Sequence, residues 1–211
     1  VFETRHAGVA SELWVFVAID APVKFSVLKL RSLTNRPRRL SATGYVEWVL
    51  GDLREKSAIH VMSEVDPKTG ALFAHNAYNA GFGDRVAFLD VDDEARSLTG
   101  DRKEFLGRNG AQHNPAALRR KHLSGSVGAA LDPCGAIQTA FDLLPGQDHE
   151  VVFRMGVGRG AVTLIVNDLL EIARISTGRI QLRPERVVFG DIVNRAVEAV
   201  VHGHFSADQA I

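Results

Sequence analysis

The chain has 211 residues and a mass of 23.0 kDa, room for one domain and a short remainder. A hydrophobic share of 45% with 24% charged residues excludes a wholly disordered chain. Lysines and arginines number 25, as do aspartates and glutamates, so no global field exists to hold nucleic acid or an anionic membrane.

Leu13–Ile19 is a short apolar run rich in aromatic and β-branched residues, bounded by Asp20 and Pro22. It reads as a strand buried on both faces. Val23–Leu30 reads as the next strand, and Asn35–Arg38 as a turn. Leu40, Ala42, Gly44, Val46, Trp48 and Leu50 then fall on one face of a long strand, with Ser41, Thr43, Tyr45 and Glu47 on the other. That is a half-exposed antiparallel strand. Ile59, Val61 and Val65 alternate with His60, Met62 and Glu64. Pro67–Gly70 is a turn, Ala71–Ala74 begins the return strand, and Val86–Val91 is another strand.

Residues 92–136 are rich in Gly and Pro and read as loops, with a short helix over Pro115–Lys121. Ile137–Leu143 alternates, Pro145–Asp148 reads as a hairpin turn, and Val151–Met155 returns. Short strands separated by frequent turns predict a mainly β fold, a large antiparallel β-sandwich over residues 1–160.

The period changes after Gly160. Val162, Ile165, Val166, Leu169, Leu170 and Ala173 follow helical spacing, and Gly178 stops the run. Ile180 and Leu182 alternate as a strand does, Pro184 breaks the chain, and Phe189–Val201 makes a second helical stripe. A helix–strand–helix tail over residues 161–211 is too small to fold alone, so it must dock, dimerise or have lost its partner. No run approaches the ~20 apolar residues that span a bilayer, and no secretion leader is visible. The chain opens on Val1 rather than Met, and Val1–His6 resembles the middle of a domain, so a piece of a longer protein is expected.

The residues offer little reaction chemistry. The eight histidines form no helical metal-binding pair, and Asp90–Glu94 lacks the glycine and distal glutamate of a calcium loop and reads as a solvated turn. No metal and no cofactor are expected. Gly156-Val-Gly-Arg-Gly160 precedes the first helical stripe, where backbone N–H groups would face an anion, but its spacing departs from the dinucleotide fingerprint. It reads either as a phosphate cradle or as a flexible junction. Glu47, Asp52, Glu55, Glu64 and Asp66 supply carboxylates that sequence does not pair in space. Cys134, the lone cysteine, forms no intrachain disulfide and reads as a small buried residue. Trp14, Tyr45, Trp48 and Tyr78 either stack on a sugar ring or fill the core. The loop group Asn76, Tyr78, Asn79, Arg108 and Asn109 is the candidate sugar or partner contact, and no catalytic residue is assigned.

Several segments resemble one family. Thr43–Gly51, Glu64–Ala74, Arg85–Phe88, Glu104–Gly110 and Leu131–Cys134 are similar, in order, to the cyclic β-1,2-glucan synthase and cellobiose phosphorylase group. That group is glycosyltransferase family 36, now glycoside hydrolase family 94. The resemblance implies a mutarotase-like super-sandwich set before an (α/α)6 barrel that carries the general acid. This chain has no barrel, so catalysis alone is not expected, and β-glucan or oligosaccharide binding or structural support is. Residues 162–202 resemble a sensor histidine kinase, its second dimerisation helix and the start of its ATPase domain, without the phosphoacceptor or the ATP-binding boxes. That implies a homodimer through the tail, and the alternatives of a signalling fragment or an inactive chimeric remnant. The expectation is a soluble, cytoplasmic piece, with inner-membrane association of the parent left open.

Overall fold

Side-chain alternation sorts the strands of a computed structural model of the protein into two sheets; the model describes residues 1–19 and 21–159. The strands are β1 (Phe2–His6), β2 (Val9–Val17), β3 (Val23–Ser32), β4 (Arg38–Glu47), β5 (Met62–Val65), β6 (Leu72–His75), β7 (Arg85–Val91), β8 (Arg96–Asp101), β9 (Pro133–Leu143) and β10 (Asp148–Arg159). Two short helices, α1 (Arg54–Ser57) and α2 (Arg102–Leu106), and 3₁₀ turns at Ala58–His60 and Ala116–Arg119 lie in the connections. One sheet has seven strands in the order β1-β2-β3-β10-β7-β6-β5, and the other has three in the order β4-β9-β8. All pairings are antiparallel. The mainly β sandwich expected from the sequence is the fold observed.

The main core lies between the sheets. Ala42, Leu98 and Ile137 from the small sheet meet Leu72, Ala74, Leu89, Val91, Val151 and Phe153 from the large one, and Trp48 and Leu50 close one end. The two faces read from β4 are the ones seen. Gly44 turns inward, and a Cβ built on it would lie 2.6 Å from the Phe153 ring. Tyr45 turns outward, where α2 and the Ala116–Arg119 turn cover Phe105, Leu106, Ala117, Leu123 and Ala136. On the far face of the large sheet Val23, Ala71, Phe73 and Phe88 form a separate apolar cluster.

The Pro67–Gly70 turn is held by the residue before it. The Asp66 carboxylate accepts from the Thr69 N–H at 2.9 Å and from its hydroxyl at 2.6 Å. The Asp66 carbonyl accepts from the Gly70 N–H. Those bonds replace water for backbone groups that must leave it.

Several expectations are corrected. The Leu13–Ile19 run is not buried on both faces: Val15 is 45% and Val17 55% exposed, because no described strand of the small sheet lies over that part of β2. The long strand stops at Glu47, although Trp48 and Leu50 still turn into the core. Ile59 is exposed and lies in a 3₁₀ turn rather than a strand, and β5 starts only at Met62. Within the supposed loops of residues 92–136, β8 pairs with β9; one apolar side chain, Leu98, was too little signal for a strand. The Pro115–Lys121 helix is a single 3₁₀ turn. Pro145–Asp148 is not a hairpin turn, since β9 and β10 belong to different sheets. There the Gln147 carbonyl accepts from Ser32, at the end of β3. The helix, strand and helix expected after Gly160, and the dimerisation assigned to them, lie outside the described residues.

Gly44→Val should cost ~1–3 kcal/mol in urea unfolding, since the branched side chain must displace the Phe153 ring in a packed core.

Candidate functional site

β4, β6 and β8 end, and β5, β7 and β9 begin, at one end of the sandwich. Here the connection 48–60 meets the loop 76–84 through Asn76, and the loop 107–114 reaches the end of β4 through Gln112. Asn76 ties the first loop to the connection: its amide donates to the Leu50 carbonyl at 2.8 Å, and its Oδ1 accepts from the Tyr78 N–H at 3.1 Å. The buried Asn76 side chain is thus occupied at both ends. Asn79 Oδ1 accepts from the Gly81 N–H. Tyr78 is 83% exposed and stacks one ring face on His60 at 4.5 Å. Arg108 and Asn109 are exposed in the second loop. The structure therefore sets Asn76, Tyr78 and Asn79 together on the 48–60 connection. Arg108 and Asn109 stand in the neighbouring loop, and no hydrogen bond joins the two groups among the described residues.

Beside the 107–114 loop lies a charge cluster that sequence reasoning missed. Glu47 Oε1 accepts from the Tyr45 hydroxyl at 2.8 Å, from Arg102 Nε at 2.9 Å and from Gln112 at 3.2 Å. Arg102 also reaches Asp132 at 3.4 Å. Arg54 donates to Asp132 at 2.5 Å and to the Trp48 and Pro133 carbonyls, and lies 3.9 Å from Glu47. Two carboxylates and two guanidiniums thus alternate. Burial raises the Glu47 pKa, but the bonds from Arg102, Tyr45 and Gln112 outweigh it and hold the carboxyl below its ordinary 4.5. Burial, then the bond to Glu47, pushes the Tyr45 hydroxyl well up, and its ring stacks on Phe105 at 4.7 Å. No spacing in the chain links these residues. The available signal was that Glu47 and Asp132 lie in segments that carried the family resemblance, and that Arg102 lies two residues before a third.

The other candidates resolve individually. Trp48 is a core residue, whereas Trp14 is half-buried with the Lys29 ammonium 5.8 Å over its ring. Asp66 is the turn cap described above, and Asp52, Glu55 and Glu64 are exposed. Asp90–Glu94 is not simply a solvated turn. Asp90 is buried on β7, pairs with Arg96, and lies 3.8 Å from Arg154 across the β7–β10 ladder. Gly156–Arg159 is no phosphate cradle or flexible junction but the last part of β10, where a Cβ on Gly156 would meet the Pro22 carbonyl at 2.6 Å. Cys134 is buried, and burial followed by the charges of Asp101 and Asp132 pushes its thiol up to about 12. Among the described residues no three His, Cys, Asp or Glu side chains gather as a metal site, and no helix is long and apolar enough to cross a membrane.

Residues 1–170 match the model of the glycosyl hydrolase 94 supersandwich domain. The chain belongs to the glycosyl hydrolase 94 supersandwich family. A cyclic beta-(1,2)-glucan synthase of Rhizobium meliloti is 35% identical over 168 residues, which are 74% of this chain and 6% of that protein. An N,N'-diacetylchitobiose phosphorylase of Vibrio furnissii is 27% identical over 163 residues, 75% of this chain and 20% of the relative. A cellobionic acid phosphorylase of Neurospora crassa is 28% identical over 170 residues, 71% of this chain and 21% of its own length. The chain thus spans about a fifth or less of these relatives. The supersandwich match runs into residues 162–170, the start of the segment that resembled a histidine kinase. These relatives, all carbohydrate enzymes, give the kinase reading no support.

Glu47→Gln should destabilise the supersandwich domain by ~1–3 kcal/mol at pH 7 in urea unfolding. A carboxyl held low when folded stabilises above its unfolded pKa of about 4.5 and loses that contribution as pH falls through the lower folded value. The gap between wild type and variant should therefore close below pH 4.5. The buried Cys134 thiol should stay unreactive to a disulfide reagent in the native chain and react fully in urea.

Proposed function

We propose that this supersandwich domain is the binding and supporting module of a carbohydrate-active enzyme that makes or cleaves β-linked glucans or disaccharides, and that it does no chemistry by itself. The carrying observation is the contrast at the loop end of the sandwich. The half-buried carboxylates there, Glu47 and Asp132, are both engaged by arginines. Glu47, held below its ordinary range, does not donate a proton near neutral pH. The groups left open to solvent are instead those of recognition: the free face of the Tyr78 ring, the Arg108 guanidinium and the Asn109 amide. An aromatic face suits the C–H side of a pyranose, and charged and amide donors suit its hydroxyls.

The relatives, a cyclic beta-(1,2)-glucan synthase and phosphorylases of chitobiose and cellobionic acid type, favour a β-1,2-linked glucan or a β-linked disaccharide as the ligand. Val49, Leu53 and Ile59 are exposed on the same connection that carries Tyr78 through His60. Such an apolar margin fits the wall of a site whose reacting groups come from other parts of the enzyme. Asn76 and Asn79 serve by shaping the loop.

Calorimetric titration with sophorose and with longer β-1,2-glucans tests the reading. Binding in the millimolar range is expected, weakened about five-fold by Tyr78→Ala, a loss of ~1 kcal/mol. Arg108→Ala should weaken it as well, with unchanged unfolding curves. No heat at millimolar glucan, or phosphorolysis of a glucoside by the purified chain, would overturn it.

A further inference from the structure

Asn109 and Gly110 form the one Asn-Gly pair in the chain, within the 107–114 loop. Both residues are exposed, and among the described residues no hydrogen bond holds the Asn109 amide. The Gly110 N–H donates to the Gly107 carbonyl at 3.1 Å, a single turn bond at the surface. Bonds of that kind open by local fluctuation at little cost. The turn also requires its glycine. A Cβ built on Gly110 would lie 1.6 Å from the Leu106 carbonyl oxygen. The fold therefore keeps an unhindered backbone nitrogen next to an unrestrained side-chain amide. The other asparagines in the described residues lack that combination. Asn76 is buried, with both ends of its amide bonded. Asn79 Oδ1 accepts from the Gly81 N–H, and Ala80 follows it. Asn114 accepts from Arg119 at 3.4 Å and precedes Pro115, whose nitrogen has no proton to give up. Asn35 is exposed, but Arg36 follows it and its side chain hinders the nitrogen.

We propose that Asn109–Gly110 is a self-modification site, at which the folded domain converts Asn109 to aspartate and isoaspartate. The Gly110 nitrogen gives its proton to solvent hydroxide and attacks the Asn109 Cγ, forming a new C–N bond. The Cγ–Nδ2 bond then breaks, and the amide nitrogen takes a proton from water and leaves as ammonia. Water opens the five-membered imide that remains. Opening at the side-chain carbonyl leaves aspartate. Opening at the backbone carbonyl leaves isoaspartate, with an extra methylene in the main chain. No oxidant or reductant is needed. Either product sets a carboxylate next to Arg108 in the chain, where a neutral amide donor stood. A change of charge of this kind alters what the loop can bind. The site itself does not rest on the carbohydrate reading, whereas its effect on glucan binding does.

The test ages the full chain at mildly alkaline pH and follows intact mass and proteolytic peptides by mass spectrometry. One ammonia per chain should be released. The amide-to-acid mass change should map to Asn109, in two peptides that separate by chromatography. An isoaspartyl methyltransferase should label the aged chain and not the fresh one. The rate should rise with pH, since the attacking nitrogen must lose its proton. Asn109→Gln should abolish the release, because a six-membered ring closes far more slowly. Conversion in the urea-unfolded chain but not in the folded one would overturn the proposal. So would conversion at Asn35 or Asn79 as fast as at Asn109. Asn109→Asp should weaken sophorose binding about threefold, the loss of one exposed hydrogen bond. Conversion at Asn109 in a chain that binds no sophorose in any form would uphold the modification site and overturn the carbohydrate reading alone.

Discussion

The contact on which the rest of the molecule depends is the close approach of β4 to β10 at Gly44. With no Cβ on Gly44, the Phe153 ring lies against the β4 backbone, and the two sheets come together around it. A larger residue would hold the layers apart and loosen the core between them. The same contact places the end of β4, so that Glu47 emerges beside α2 and the 48–60 connection starts toward the loop at Asn76. It also sets the small sheet to one side, with no described strand over β1, β2 and β3.

Charge is handled differently in the two halves of the domain. Asp90 and Arg154 are buried on the far face of the large sheet, with Arg154 Nε 3.8 Å from the Asp90 carboxylate and Arg96 donating to it. Such groups are tolerated in an interior only when paired. At the loop end, Glu47, Arg54, Arg102 and Asp132 link β4, α1, α2 and the start of β9, elements far apart in the chain. The cluster is a structural clasp that also takes in Gln112 of the 107–114 loop.

Alternation was a good guide where one strand face met a core and the other did not. β4 is the clearest case: the inward and outward sets read from Leu40 to Glu47 are the ones observed. The same rule failed at Ile59, because apolar residues at alternate positions also suit a 3₁₀ turn whose backbone bonds are local. It failed at β8 because Thr99 and Gly100 are buried without being apolar. It misassigned Pro145–Asp148 because a tight turn has the same composition whether its strands pair or part into different sheets. Trp48 and Tyr78 were indistinguishable as aromatic residues, and only their neighbours made one core and the other surface.

The sequence by itself determined the fold class, the inward face of β4, the Pro67–Gly70 turn and, through its ordered segments, the glycosyl hydrolase 94 supersandwich family. Those features rest on short-range patterns, since alternation and turn bonds act between residues a few positions apart. Among the described residues, tertiary structure alone decided the split into seven and three strands and the alternating Glu47–Arg102–Asp132–Arg54 cluster. Each depends on which distant strands meet across the core, and pairings of that kind leave no period in the chain.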